Sequence, residues 1–174
     1  MNEVGLGQVG VGTWGQVMLN SWSKHPKARI LAVCDADGDR ARKIAQEFGI
    51  DAYYDNVEEL LRHPGIDAVG VATPDYAHRE GVVRALEAGK HVLVQKPMAT
   101  TVDDAKAMVE AEQASGRYLM VDFQHRWGIG FAEARKAVES DSFGQVVHGH
   151  IRMSNSQRVP LQMLSWASQS SVLW

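Results

Sequence analysis

The chain has 174 residues, of which 45% are hydrophobic and 22% charged, and its formal net charge is -3 at pH 7. This composition is typical of a globular protein, and the length allows one domain with a substantial core and part of a second domain. The small negative charge excludes the basic surface of a nucleic-acid-binding protein. The sequence has neither a long apolar segment nor a basic cluster that would predict contact with a membrane.

The cysteine content and the N-terminus indicate a cellular compartment. The single cysteine, Cys34, excludes an internal disulfide framework and suits a reducing environment. The N-terminus leads into a strand and has neither the basic region nor the apolar segment of a signal peptide. We therefore expect the protein in the cytoplasm.

The first predicted unit is a strand over Val4–Val9, followed by a glycine-rich turn and a helix. The turn, Gly10-Val11-Gly12-Thr13-Trp14-Gly15, has the GxGxxG spacing of a dinucleotide-binding turn. Gly10 would allow the tight exit from the strand, Gly12 a close approach to a pyrophosphate, and Gly15 close packing of the helix. N–H groups at the helix N-terminus would bind the phosphates, so cofactor contacts are predicted for Gly10, Gly12, Thr13, Trp14 and Gly15. The alternative is a glycine-rich turn without a ligand. An overlapping GxGxxG at 5–10 is rejected, because too few residues precede it to form a strand.

The rest of the chain alternates strands with helices. Further strands are predicted at Ala28–Cys34, Ala52–Tyr54, Ala68–Ala72, His91–Val94 and Tyr118–Phe123. Apolar residues at helical spacing indicate the helices between them, and Gly49, Gly89 and Gly116 end three of these helices. This alternation predicts an α/β fold with a Rossmann doubly wound parallel sheet in the strand order 3-2-1-4-5-6. A cis peptide bond is predicted before Pro97, at a sharp strand exit.

An acidic residue follows the second strand at the position that a dinucleotide site requires. Asp35 lies about 20 residues beyond Gly15, directly after an apolar run. Its carboxylate would accept hydrogen bonds from both adenosine ribose hydroxyls and would repel the additional phosphate of NADP. We therefore expect NAD as the cofactor and weaker binding of NADP. Arg40 and Arg42 follow closely enough to soften this preference.

The carboxyl ends of parallel strands meet at one edge of the sheet, where ligands bind. The candidates for the nicotinamide end of the cofactor are Thr73, Pro74, His78, Gln95, Lys96 and Arg126. Lys96 could hydrogen-bond a substrate hydroxyl, or it could be a solvated lysine at a strand end. His78 could contact the cofactor or simply pack, and a salt bridge would explain Arg126 equally well. Asp75 is expected to be the N-cap of the helix that carries His78.

Together these motifs resemble the glucose–fructose oxidoreductase and inositol dehydrogenase family (Gfo/Idh/MocA). The resemblance rests on the glycine-rich turn, Ala32-Val33-Cys34-Asp35, Ala72-Thr73-Pro74 with His78, Val92-Leu93-Val94-Gln95-Lys96-Pro97-Met98-Ala99 and Val121-Asp122-Phe123-Gln124-His125-Arg126-Trp127. It implies an NAD(P)-binding domain followed by an α/β domain with a large open sheet. It also implies reversible hydride transfer between NAD(P) and the carbinol of a sugar, cyclitol or related polyol, with Lys96 as the catalytic lysine and a homo-oligomer formed through the second domain's sheet.

The resemblance divides the chain into two parts. Residues 1–124 would form the NAD(P)-binding domain, and residues 125–174 the incomplete beginning of the C-terminal domain, with its first strand at Val146–Met153. The family's downstream acidic and histidine motif is not in this sequence. His148 and His150 share a face of that predicted strand, but no third ligand lies nearby, so no metal site is expected.

The sequence departs from the family at one residue of the lysine motif. Gln95-Lys96-Pro97 stands where the family usually has Glu-Lys-Pro, so Lys96 lacks a neighbouring anion in sequence.

The sequence leaves two hypotheses about function. The chain is either the amino-terminal part of an NAD-dependent dehydrogenase, inactive by itself, or a non-catalytic dinucleotide-binding module that acts as a sensor or docks a partner.

Overall fold

The computed structural model describes residues 3–152 and contains a six-stranded parallel sheet in the order β3-β2-β1-β4-β5-β6. The strands are β1 Val4–Val9, β2 Ala28–Cys34, β3 Ala52–Tyr54, β4 Ala68–Val71, β5 His91–Gln95 and β6 Leu119–Asp122. Each of the six strands predicted within residues 1–124 is present within two residues of its expected bounds, and the predicted strand order is confirmed.

Helices connect successive strands and cover both faces of the sheet. They are α1 Thr13–Trp22, α2 Gly38–Phe48, α3 Val57–Arg62, α4 His78–Glu87, α5 Val102–Ser115 and, after the sheet, α6 Ile129–Glu139. The side chains of Asp37, Asn56 and Thr101 cap α2, α3 and α5 by accepting hydrogen bonds from backbone N–H groups of the first turn.

The expectation that Asp75 caps α4 is wrong. A short 3₁₀ helix, Asp75–Ala77, precedes α4, so the N-cap residue of α4 is Ala77. The Asp75 side chain is buried and accepts a hydrogen bond from the Tyr76 amide. The additional turn moves the helix start, and His78 becomes the first residue of α4.

The core consists of two apolar layers, one on each face of the sheet. Alternate residues of β2 enter different layers, since Ala32 and Cys34 pack in one and Val33 packs in the other. Leu86 of α4 and Met108 of α5 belong to the first layer. Burial of one such side chain contributes about 1.5–3 kcal/mol, so both layers stabilise the sheet substantially.

Two glycines of the first strand serve packing rather than ligand binding. A Cβ on Gly5 would lie 1.8 Å from the Gly65 carbonyl oxygen, and one on Gly7 would lie 3.0 Å from side-chain atoms of Ile66 and Leu60. Both glycines are inside β1. The rejection of the overlapping GxGxxG at 5–10 is therefore confirmed.

The described residues divide into two compact units, the first ending at Asp122 and the second beginning at Phe123. The second unit contains a 3₁₀ helix, Gln124–Trp127, and α6, none of whose residues is buried. The strand predicted at Val146–Met153 is wrong for residues 146–152, which form neither helix nor strand, and Met153 lies outside the described residues. A strand requires a hydrogen-bonded neighbour, and the described part of this unit contains no other strand. The assignment of residues 125–174 to a second domain stays a prediction.

None of the helices within residues 3–152 combines the length and apolar character needed to cross a membrane.

Candidate functional site

The glycine-rich turn lies between β1 and α1, next to the loop that follows β4. Gly10 has a φ of +80°, and a Cβ on it would lie 2.7 Å from Ala72 carbonyl atoms and from the Thr73 amide nitrogen. A Cβ on Gly15, in the first turn of α1, would lie 2.0 Å from the Gly10 carbonyl oxygen. Both positions therefore exclude any side chain, and the reasons predicted for these two glycines are confirmed.

Gly12 differs from its two neighbours because the space beside it is open. No heavy atom lies within 4 Å of the position that a Cβ on Gly12 would take, and its φ of -66° is available to any residue. Gly12 is also the N-cap of α1, and no side chain caps this helix. The turn thus combines a helix start that no side chain caps with open space beside Gly12, and both features suit a phosphate. Thr13 is exposed and Trp14 half-buried at the same helix start.

Gln8 supports this turn from within the sheet, although the sequence analysis did not identify it. The side chain is fully buried, and its Nε2 donates hydrogen bonds to the Gly10 carbonyl at 3.0 Å and to the Val9 carbonyl at 3.1 Å. Its Oε1 has no hydrogen-bond partner among the described residues. In the sequence, the signal for Gln8 is that it is the single polar residue in the apolar strand Val4–Val9. Gln8 holds the Gly10 carbonyl in place at the entrance of the turn.

Asp35 stands directly after β2 and already binds the glycine-rich turn. Its Oδ2 accepts a hydrogen bond from the Val11 amide at 2.9 Å, and its Oδ1 accepts one from the Asp37 amide at 3.0 Å. The Arg40 guanidinium forms an ion pair with Oδ1 at 3.1 Å and a second one with Asp37 at 3.0 Å. The carboxylate is 8% exposed, so it fixes the turn and presents only a small polar face outward.

Cys34, the last residue of β2, has an inert thiol. Burial, and after it the neighbouring Asp35 carboxylate, raise the pKa of Cys34 to about 12. The thiolate is the reactive form of cysteine, and it is not populated near neutral pH.

His78 connects the loops that follow β4 and β5. Its Nδ1 lies 2.9 Å from the Pro97 carbonyl oxygen, and its Nε2 lies 3.0 Å from the Thr73 carbonyl oxygen. The side chain is 1% exposed, and this burial lowers the pKa of His78 from its ordinary value. Backbone groups of Pro97, Thr73 and Met98 and the Asp75 carboxylate oppose that effect. A direct contact between His78 and the cofactor stays a prediction, but both ring nitrogens are already engaged with the protein.

The lysine motif follows β5 at the same edge of the sheet. Lys96 is half-buried, and the bond between Lys96 and Pro97 is cis, as predicted. Gln95 is buried, and its Nε2 donates a hydrogen bond to Asp122 Oδ2 at 2.6 Å on the neighbouring strand β6. A carboxylate therefore stands beside residue 95, although residue 95 itself is neutral.

Arg126 belongs to the second unit, in the 3₁₀ helix Gln124–Trp127, where its side chain is exposed. The neighbouring His125 ring packs against Phe131 of α6, with ring centroids 5.9 Å apart. A role for Arg126 in cofactor binding stays a prediction. Within residues 3–152, no group of three or more His, Cys, Asp or Glu side chains is arranged to hold a metal ion.

These features fit a dinucleotide that lies across the carboxyl edge between β1 and β4. The open space at Gly12 would receive the pyrophosphate, Asp35 stands where the adenosine ribose would lie, and Thr73 and Lys96 follow the strands on the opposite side.

Comparison with known proteins agrees with this geometry. Residues 4–123 match the sequence model of the Gfo/Idh/MocA oxidoreductase family, described as having an NAD-binding Rossmann fold. The chain is 39% identical over 145 residues to an inositol 2-dehydrogenase/D-chiro-inositol 3-dehydrogenase of Shouchella clausii, covering 82% of this chain and 42% of that protein. It is 34% identical over 143 residues to a D-apiose dehydrogenase of Paraburkholderia graminis, covering 82% of this chain and 38% of that protein.

A solved structure shows the same fold. The chain superposes with a TM-score of 0.73 and 27% identity on KijD10, a 3-ketoreductase of Actinomadura kijaniata crystallised with NADP, covering 79% of this chain and 44% of that one. The chain spans less than half the length of each of these three proteins.

Proposed function

The chain belongs to the Gfo/Idh/MocA family of NAD-binding Rossmann-fold oxidoreductases, and from this premise we propose that it is the cofactor-binding part of a polyol dehydrogenase. The reaction is hydride transfer between a nicotinamide dinucleotide and a carbinol of a sugar, cyclitol or related polyol. Relatives named as inositol and apiose dehydrogenases support this substrate class. The non-catalytic alternative, a sensor or docking module, finds no support among these relatives.

The open space at Gly12 is the observation that carries the proposal. The helices α2, α3 and α5 have side-chain caps, whereas α1 and α4 lack one, and among these helices only α1 has a glycine, Gly12, as its N-cap residue with open space beside it. An uncapped helix start loses stabilisation of about 1 kcal/mol, which a bound phosphate would restore. The absence of a cap and the open space occur at the same residue, and a phosphate ligand accounts for both.

NAD is the proposed cofactor, and Arg40 is the residue that limits the preference for NAD over NADP. The Asp35 carboxylate favours the two ribose hydroxyls of NAD, and it would repel a phosphate. Its ion pair with Arg40 at 3.1 Å reduces that repulsion and keeps a guanidinium, 48% exposed, at the same position. We therefore propose that NAD binds more tightly but that NADP is also accepted.

Lys96 is the proposed catalytic residue. A nicotinamide cofactor held at this site would supply the hydride acceptor for the carbinol carbon, and the hydroxyl proton would have to go to a base. The Lys96 ammonium would hydrogen-bond the reacting oxygen and hold the carbinol carbon toward the cofactor. The enclosing sheet and the proton-accepting histidine are proposed to belong to the second domain, through whose sheet the whole enzyme would form a homo-oligomer.

Binding and turnover can be tested separately. NADH titrated into the purified 174-residue chain should bind, because the turn, Asp35 and the loop after β4 belong to one sheet. The same chain, incubated with NAD and a panel of cyclitols and sugars, should produce no steady NADH absorbance. Absence of NADH binding would refute the assignment of the site, and steady substrate-dependent NADH production would refute the need for a second domain.

A further inference from the structure

His78 makes contacts that neither packing nor helix formation requires. As the first residue of α4 it is 1% exposed, and its two ring nitrogens reach carbonyl oxygens on two different loops, Thr73 at 3.0 Å and Pro97 at 2.9 Å. The first loop leaves β4 and the second leaves β5, and these strands are neighbours in the sheet. The ring is therefore a bridge between the two loops that follow adjacent strands at the ligand edge.

Each loop carries a group on the nicotinamide side of the proposed site. Pro97 directly follows Lys96. Thr73 lies in the loop that packs against the glycine-rich turn, and its amide nitrogen is 2.7 Å from the position of a Cβ on Gly10. The hydroxyl of Thr73 is buried and has no hydrogen-bond partner among the described residues. Burial of an unpaired hydroxyl costs free energy, so another interaction must hold this loop in its conformation. The contact of His78 with the Thr73 carbonyl is such an interaction.

We propose that His78 is a positioning residue that joins the loop after β4 to the loop after β5 and so fixes Lys96 and Thr73 relative to the nicotinamide end of the cofactor. The inference rests on the proposed function, because it assumes that a dinucleotide binds at this edge. It assigns His78 a role through the two loops, without contact with the reacting atoms.

The tautomer of the neutral ring decides which of the two loops receives a hydrogen bond, while the other ring nitrogen only contacts its carbonyl oxygen. A neutral imidazole has one N–H donor and one acceptor, and both of its neighbours here are carbonyl acceptors. The two hydrogen bonds can form together only in the imidazolium, which burial disfavours and the Asp75 carboxylate favours. The amide nitrogen of an asparagine or glutamine at position 78 would donate a hydrogen bond to one of the two loops at any pH.

The test compares two ligands that differ in the part of the site they reach. ADP carries the adenosine and the two phosphates and needs only Asp35 and the glycine-rich turn, whereas NADH also reaches the two loops. Affinities for both ligands are measured on the purified protein by fluorescence for NADH and by calorimetry for ADP, together with the melting temperature. His78→Leu removes both ring-nitrogen contacts, and His78→Asn and His78→Gln keep a donor near the positions of Nδ1 and Nε2, respectively.

We expect His78→Leu to weaken NADH binding about tenfold, because losing one to two net hydrogen bonds has an effect of about this size. ADP binding should change less than about twofold. At least one amide variant should recover most of the NADH affinity. Val82→Ala is the matched control, since Val82 is fully buried in the same helix and its truncation should lower the melting temperature without changing the ratio of the two affinities.

Two results would overturn the proposal: equal loss of ADP and NADH affinity in His78→Leu, or unchanged NADH affinity. If His78→Leu does not fold, the two amide variants decide, and an unchanged affinity ratio in both overturns it. A wild-type protein that binds neither ligand would instead refute the proposed function, so the two failures are distinguishable.

Discussion

Replacing Gln95 by glutamate should destabilise the protein, even though glutamate is the residue that the family usually has there. Gln95 Nε2 donates to Asp122 Oδ2 at 2.6 Å, and Gln95 is 6% exposed. The substitution replaces this donor by a carboxylate oxygen and brings two carboxylates together. For charge centres about 4 Å apart and an effective dielectric constant of about 20, the repulsion is about 4 kcal/mol.

Protonation of the pair limits this cost and makes it depend on pH. Binding one proton at pH 7 to a carboxyl whose reference pKa is about 4.3 costs at most about 3.7 kcal/mol, and the protonated carboxyl can then donate to Asp122. At pH 5 the same limit is about 1 kcal/mol. The folded-state pKa of the introduced carboxyl lies above its unfolded value, so the folded state binds more protons and stability falls as pH rises. We expect a loss of about 3 kcal/mol at pH 7 and about 1 kcal/mol at pH 5.

Urea unfolding at the two pH values measures these losses, with two further variants as controls. Gln95→Glu combined with Asp122→Asn restores a donor opposite the new carboxylate and should recover most of the stability at pH 7. Gln46→Glu makes the same chemical change on the exposed surface of α2 and should shift stability by less than about 0.5 kcal/mol. A loss that is equal at pH 5 and pH 7, or that the Asp122 substitution does not relieve, would contradict the electrostatic explanation.

Three further substitutions test the proposed site. Gly12→Ala should lower the free energy of unfolding by no more than about 1 kcal/mol, because a Cβ there meets no atom within 4 Å and only the weaker N-cap preference of alanine counts. It should weaken NADH binding at least tenfold, and parallel melting and fluorescence titrations check both effects. Arg40→Ala should weaken NADP binding more than NAD binding in calorimetric titrations, since it removes the guanidinium that pairs with Asp35 at 3.1 Å. In the whole enzyme, Lys96→Ala should reduce kcat strongly while stability changes by less than about 1 kcal/mol, and a large stability loss with normal turnover would assign Lys96 to folding.

The sequence was sufficient for the sheet because local signals determine it. Apolar runs such as 68–72 mark strands buried on both faces, terminal glycines mark helix ends, and the handedness of crossovers then leaves the observed strand order. The same logic predicts that Gly12, Asp35 and Lys96 lie at one edge of the sheet. These predictions needed no knowledge of side-chain orientation.

The contacts that shape the site were missed because they depend on orientation and register across the sheet. Gln95 and Asp122 are 27 residues apart, and only the pairing of β5 with β6 brings them opposite each other. The bridge formed by His78 requires the 3₁₀ helix before α4, which the expected cap at Asp75 did not include. The strand predicted at Val146–Met153 from the family resemblance is absent over residues 146–152, because a strand requires a hydrogen-bonded neighbour and the described part of its unit contains none.

The buried polar side chains lie at the edge of the sheet that carries the candidate site. Among residues 3–152, the polar or charged side chains that are buried are those of Gln8, Asp35, Asp75, His78 and Gln95. All five lie at the carboxyl ends of strands or in the segments that follow them, although burial of a polar group there costs as much as elsewhere in the core. Three of them bind loop backbone: Gln8 at Gly10, Asp35 at Val11, and His78 at Thr73 and Pro97. A sheet that needed only stability would place apolar residues at these positions. We infer that these residues hold the loops in place before the cofactor arrives, which lowers the entropy lost on binding.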